Sequence, residues 1–185
     1  MTRRSQRPPA DARGFSLVEL MATLAVLAIL LAVGIPSFNE FIVNYRTTAQ
    51  TNDLLADLSF ARMESVKLGR TVEVSAEGGD WETGWNVRVD LNGDGDVLDA
   101  DEVLRQHGAV QQDFTIDAVD GSGTAFDRTA FDATGARTVP SDANDAEVAF
   151  CRPDDNEAKS RWIAISATGR AEARRDVSAA AQVGC

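Results

Sequence analysis

The sequence predicts an α+β protein in which one long N-terminal helix packs on an antiparallel β-sheet domain. Three observations predict it. Phe15–Ile35 is a predominantly apolar run of 21 residues whose only charge is Glu19. Apolar residues then recur at helical spacing from Phe38 to Val66, and Gly69 follows as a stop. Beyond Gly69 come short segments of alternating apolar and polar residues, separated by Gly- and Asp-rich turns.

The helix is preceded by a polar leader, residues 1–14, carrying Arg3, Arg4, Arg7 and Arg13 and ending in Gly14. A helix over Phe15–Ile35 would be about 31 Å long, enough to cross a hydrocarbon core. Gly34 and Pro36 close the run, so residues 15–36 form the membrane-spanning half. A carboxylate at mid-bilayer costs on the order of 3 kcal/mol. Glu19 lies near one end, where the cost is smaller but still calls for a compensating charge. A secretory signal peptide is the simpler alternative, with a basic start and an apolar core of about 7–15 residues ahead of a small-residue cut. The run here is longer, carries an acid and is followed by Pro36, Phe38 and Phe41.

Residues 37–70 form an amphipathic continuation. Phe38, Phe41, Ile42, Tyr45, Ala49, Leu54, Leu55, Leu58, Phe60, Ala61 and Val66 mark an apolar side that packs on the following domain. Asn39, Asn44, Arg46, Gln50, Asp53, Asp57, Glu64 and Lys67 fill much of the other side. Pro36 is expected to kink or loosen the helix.

Residues 71–185 form the β-rich domain. Val72 and Val74 alternate with polar residues in Thr71–Ala76, as do Trp85, Val87 and Val89 in Trp85–Asp90. Glu102–His107, Asp113–Val119, Ala146–Cys151 and Arg161–Ala167 are the further strands. No long repeat is present; the echo FDRTAFDAT at Phe126–Thr134 is brief.

A chain of 185 residues gives one globular domain beyond the anchor. Its net charge is −11, and removal of the leader with its four arginines and Asp11 takes it to −14. So acidic a body is soluble and resists non-specific binding to nucleic acid. Cys151 and Cys185 are the only cysteines. In an oxidising compartment, which the anchor implies, they pair and close a loop worth about 3–4 kcal/mol. Two free thiols, or pairing of Cys185 between molecules, are the alternatives. With one histidine, His107, they match no zinc spacing.

The segment GFSLVEL at Gly14–Leu20, with its basic leader, resembles the signal of type IV pilins and type II secretion pseudopilins. The resemblance implies that a prepilin peptidase cuts between Gly14 and Phe15 and methylates the new amine of Phe15. It also implies that Glu19 pairs with the N-terminal amine of a neighbouring subunit during assembly. A cation and a carboxylate that are costly apart in a low dielectric are tolerable together, and such a pair sets axial register.

Other segments narrow the resemblance to the GspH/FimT family of minor pseudopilins and minor pilins. They are FARMESVKLGR (Phe60–Arg70), WETGWNVRVDLNGDGDVLDADEVLR (Trp81–Arg105), FDATG (Phe131–Gly135), AFC (Ala149–Cys151) and WIAISATGR (Trp162–Arg170). This implies a single-pass protein of the bacterial inner membrane with its C-terminal domain in the periplasm. Its partners would be other pilins or pseudopilins, the peptidase and the inner-membrane assembly platform. It would prime or cap a type II secretion pseudopilus or a type IV pilus.

Two further readings concern the β domain. Asp90, Asn92, Asp94 and Asp96, alternating in a glycine-containing loop, resemble the start of a calcium loop. Counting Asp90 as one, Asp101 falls at twelve and Glu102 at thirteen, whereas an EF-hand wants Glu at twelve and flanking helices. A solvated hairpin loop is the alternative. Some FimT-like minor pilins contribute to DNA uptake through a C-terminal G-R-x-R motif. This chain has Gly169-Arg170-Ala171-Glu172, with Arg174 and Arg175 beyond and Lys159 and Arg161 upstream. The acid at Glu172 and the acidic body weaken attraction for phosphates. The sequence contains no G-x-S-x-G, H-E-x-x-H or G-x-x-x-x-G-K pattern. A peptidase substrate rather than an enzyme is expected.

Overall fold

The computed structural model describes residues 14–92, 97, 102–110, 114–153 and 159–175. The chain divides into two compact units, Met1–Phe41 and Ile42–Cys185. One helix, α1 (Leu17–Leu68), enters both, and it continues through Pro36, where a kink or loosening was expected.

In the first unit every described residue, Gly14 to Phe41, is exposed. From Leu17 to Ile35 the helix is apolar on all sides apart from Glu19 and Thr23. That pattern belongs to a segment covered by lipid or by other helices. By length and composition it is able to cross a membrane.

Among the described residues the second unit holds nine strands. They are β1 (Val72–Ala76), β2 (Trp85–Val89), β3 (Val103–His107), β4 (Thr115–Val119), β5 (Arg128–Phe131), β6 (Arg137–Val139), β7 (Ala146–Cys151), β8 (Arg161–Ile165) and β9 (Ala171–Arg174). All pairings are antiparallel, in two sheets ordered β3-β2-β1-β5-β6 and β4-β7-β8-β9. Strands β5, β6 and β9 were not anticipated from the sequence. At four, three and four residues they are too short to show alternation.

Leu54, Leu58 and Ala61 of α1 share one core with Val72, Val74, Trp85, Val87 and Val89 of the first sheet and Val148, Phe150, Ile163 and Ile165 of the second. Ala149, Cys151 and Trp162 form a small cluster on the other face of the second sheet.

The buried side of α1 differs from the expected one. Tyr45 and Val66, assigned to the packing side, are 68% and 53% exposed, while Gln50 and Asp57, assigned to the polar side, are buried. The fold supplies the reason for Asp57. Its Oδ2 accepts a hydrogen bond from Trp85 Nε1 at 2.9 Å, and its Oδ1 pairs with Arg105 Nη1 at 3.0 Å. Arg105 also lies 3.6 Å over the Phe60 ring. His107 stacks on Trp85 with ring centroids 3.9 Å apart, as a packing residue.

α1 stops at Gly69 as expected. Gly69 has φ 65°, and the N–H of Arg70 donates to the Ser65 carbonyl at 3.2 Å. This is the six-to-one bond of a Schellman end, which needs a residue at ease in the left-handed region.

Candidate processing and assembly site

The helix begins immediately after the expected cut. Ser16 caps it: Ser16 Oγ accepts the Glu19 N–H at 3.2 Å, and the Ser16 carbonyl accepts the Leu20 N–H at 3.1 Å. Ser16-Leu17-Val18-Glu19 thus has the spacing of a capping box, with Glu19 in the first turn. A carboxylate there faces the positive end of the helix dipole. Ser16 escaped the sequence reading, although S-x-x-E before an apolar run was the available signal.

Gly14, Phe15 and Glu19 are all exposed. A Cβ at Gly14 would meet nothing within 4 Å among the described residues, so no contact with them requires glycine there. The requirement, if any, lies with whatever reads the segment. Cleavage before Phe15 would set a new amine one residue ahead of the cap, at the helix end where positive charge is unfavourable. The geometry therefore adds a reason for an external carboxylate.

Three of the segments that carry the family resemblance, Phe60–Arg70, Phe131–Gly135 and Trp162–Arg170, meet at Arg62 of α1. Its Nε donates to the Gly135 carbonyl at 2.9 Å and its Nη2 to the Thr168 carbonyl at 3.1 Å. Asp132-Ala-Thr-Gly135 joins β5 to β6, and Ser166-Ala-Thr-Gly169 joins β8 to β9. In the first turn Asp132 Oδ1 accepts from the Thr134 N–H, the Thr134 hydroxyl and the Ala136 N–H. The Thr134 hydroxyl foremost, and these amides, hold the Asp132 carboxyl below its usual range. In the second turn Ser166 Oγ accepts the Arg170 N–H at 3.1 Å. The two turns lie against each other, and Arg62 links both to the helix.

The arginines of the DNA reading are largely occupied. Arg170 lies 3.1 Å from Glu172, and Arg174 lies 2.6 Å from Glu172 and 3.3 Å from Asp145. The hydrogen bond from Arg174, then the charges of Arg174 and Arg170, lower the Glu172 pKa. Arg175 falls on the other side of the β9 alternation, so the structure does not group it with Arg170 and Arg174.

Of the calcium reading, Asp94, Asp96 and Asp101 lie outside the described residues. Among the described residues no group of three acidic, His or Cys side chains is placed to hold a metal. Glu102, which the EF-hand count displaced, is 1% exposed. Its Oε1 accepts the Leu91 N–H at 2.9 Å and lies 3.5 Å from the Asn92 N–H, while its buried Oε2 has no hydrogen-bond partner among the described residues. Cys151 is disulfide-bonded, and Cys185 lies outside the described residues.

An apolar N-terminal helix with a processing-type start, continuing into a helix packed on antiparallel sheets, defines a pilin-like, membrane-anchored protein. The sequence matches the family Type II transport protein GspH over residues 50–169 and the prokaryotic N-terminal methylation motif over residues 10–35. The chain belongs to the GspH family of type II transport proteins. The fold is shared with the type IV minor pilin FimU of Pseudomonas aeruginosa (24% identity, TM-score 0.56, covering 72% of this chain and 92% of that one). It is shared too with EpsH, a minor pseudopilin of the Type 2 Secretion System of Vibrio cholerae (8% identity, TM-score 0.52, covering 70% and 96%). No protein of curated function matches the sequence significantly.

Proposed function

We propose that the protein is a minor pilin or pseudopilin subunit that primes or caps assembly of a short type II secretion pseudopilus or a type IV pilus. Cut between Gly14 and Phe15, it stays in the inner membrane by its apolar helix, with the β domain in the periplasm, until it enters the filament. The observation that carries this reading is a helix capped two residues after Gly14, whose Leu17–Ile35 stretch is apolar but for Thr23 and a single acid in its first turn. Such a helix is built to be covered by identical or similar helices. Deleting the gene tests it: secretion through the type II channel or surface piliation should fall severely and return on complementation. A deletion that spares both sinks the reading. The DNA alternative has weaker support, because Glu172 and Asp145 engage the arginines it needs.

We also propose that the loop from Asp90 to Asp101 takes a calcium ion through Asp90, Asn92, Asp94, Asp96 and Asp101. Oxygen-bearing side chains at alternate positions of a glycine-containing loop suit a hard cation. Calcium should raise the melting temperature of the wild-type protein, and Asp94→Asn should remove that rise. Isothermal titration showing no heat, together with an unmoved melting temperature, excludes the ion.

A further inference from the structure

The second sheet ends on its core-facing side in a row of arginines. Arg152 directly follows β7, Arg161 opens β8 and Arg175 directly follows β9. Alternation puts all three on the face that carries Phe150 and Ile163, toward α1. The register pairs Trp162 with Arg174, so one step further Arg161 stands opposite Arg175. Like charges directly opposite across a ladder are unfavourable. Burial foremost, then the charges of Arg175 and Arg152, pull the Arg161 pKa below the ordinary arginine value. Arg161 Nη1 donates to the carbonyls of Lys159 and Ser160 at 2.8 and 3.0 Å, which fixes the side chain without neutralising it. A cavity of about 200 Å³, lined by Thr48, Thr51 and Asn52 of α1 and by Arg161, Arg174 and Arg175, opens beside this pair. Arg174 is balanced by Glu172 and Asp145, so among the described residues the charge without an acidic partner there comes from Arg161 and Arg175.

We propose that this cavity is a binding site for a phosphate group, presented by an acidic phospholipid head group or by free phosphate. Each guanidinium is a planar fork suited to two oxygens of one anion. An anion between the two arginines turns a repulsive cross-strand pair into a bridged one. The site follows the apolar run on the same helix, which makes lipid one natural source.

The test is thermal unfolding of the full chain in a non-ionic detergent, in phosphate and in chloride of equal ionic strength. Phosphate at about 100-fold over its Kd should raise Tm by on the order of 5 °C above chloride. Arg161→Gln and Arg175→Gln should each abolish that rise and melt higher than wild type in chloride, since the repulsion is gone. A purely structural pair would instead melt lower in both buffers and keep the phosphate response. In nanodiscs of phosphatidylcholine with and without phosphatidylglycerol, a gain from the acidic lipid that Arg161→Gln removes assigns the head group. A gain from phosphate with none from the lipid assigns the free ion. Equal melting in phosphate and chloride with no lipid effect overturns the proposal, and the wild-type comparison stands even if a variant fails to fold. Stabilisation by a short DNA duplex alone, lost in Arg161→Gln, also overturns it in favour of nucleic acid.

Discussion

A Glu19→Ala protein is expected to be cleaved after Gly14 as efficiently as wild type and to enter filaments about 30- to 150-fold less well. The magnitude follows from leaving one cation uncompensated among apolar helices, about 2–3 kcal/mol. Cleavage should survive because the residues at the cut are unchanged. The cap should survive too, since it uses the Glu19 backbone N–H on Ser16 Oγ rather than the carboxylate. The domain should keep its Tm, because Glu19 lies in the first unit and is exposed. Immunoblots of sheared filaments against whole cells measure incorporation, and a slower band reports a retained leader. Glu19→Gln separates charge from shape: it keeps the size and loses the ion pair, so it should be as defective as alanine. Normal incorporation of either variant contradicts the pairing.

The start of the chain was legible because its physics is local. A basic leader, a small residue, an apolar run and one acid are each readable without knowing the fold. So was the end of α1, since Gly69 can take the left-handed conformation that a Schellman end needs. Strands with clear alternation, such as Val72–Ala76 and Trp85–Val89, were readable for the same reason. Asp57 was misread because its partners, Trp85 and Arg105, reach it only after the first sheet has formed. Strand β9 was hidden by its composition: Ala171-Glu172-Ala173-Arg174 are good helix formers, and pairing with β8 overrides that preference. Glu102 was set aside by counting from an EF-hand pattern, whereas its burial depends on the strands that flank the loop. FARMESVKLGR, FDATG and WIAISATGR were each recognisable, but their meeting at Arg62 is a property of the tertiary structure.

That meeting point should be the place where the smallest substitution costs most. Gly169 has φ 78°, and a Cβ there would lie 1.9 Å from the Gly135 carbonyl oxygen and 3.2 Å from Arg62 Nε. Alanine meets two penalties. The left-handed conformation costs about 1–2 kcal/mol. The overlap is with backbone, so it is relieved only by parting the two turns, which loosens the Arg62 bonds to Gly135 and Thr168, worth about 1.5–3 kcal/mol each at most. Gly169→Ala should therefore destabilise the domain by about 3–5 kcal/mol, a fall in Tm on the order of 10 °C. Gly14→Ala, with open space around its Cβ, should leave Tm unchanged. A double-mutant cycle identifies the cause. Once Arg62→Ala has removed the bonds that hold the turns together, Gly169→Ala should cost markedly less than in the wild type. Full additivity of the two, or a loss under 1 kcal/mol for Gly169→Ala alone, contradicts the coupling of the turns through Arg62.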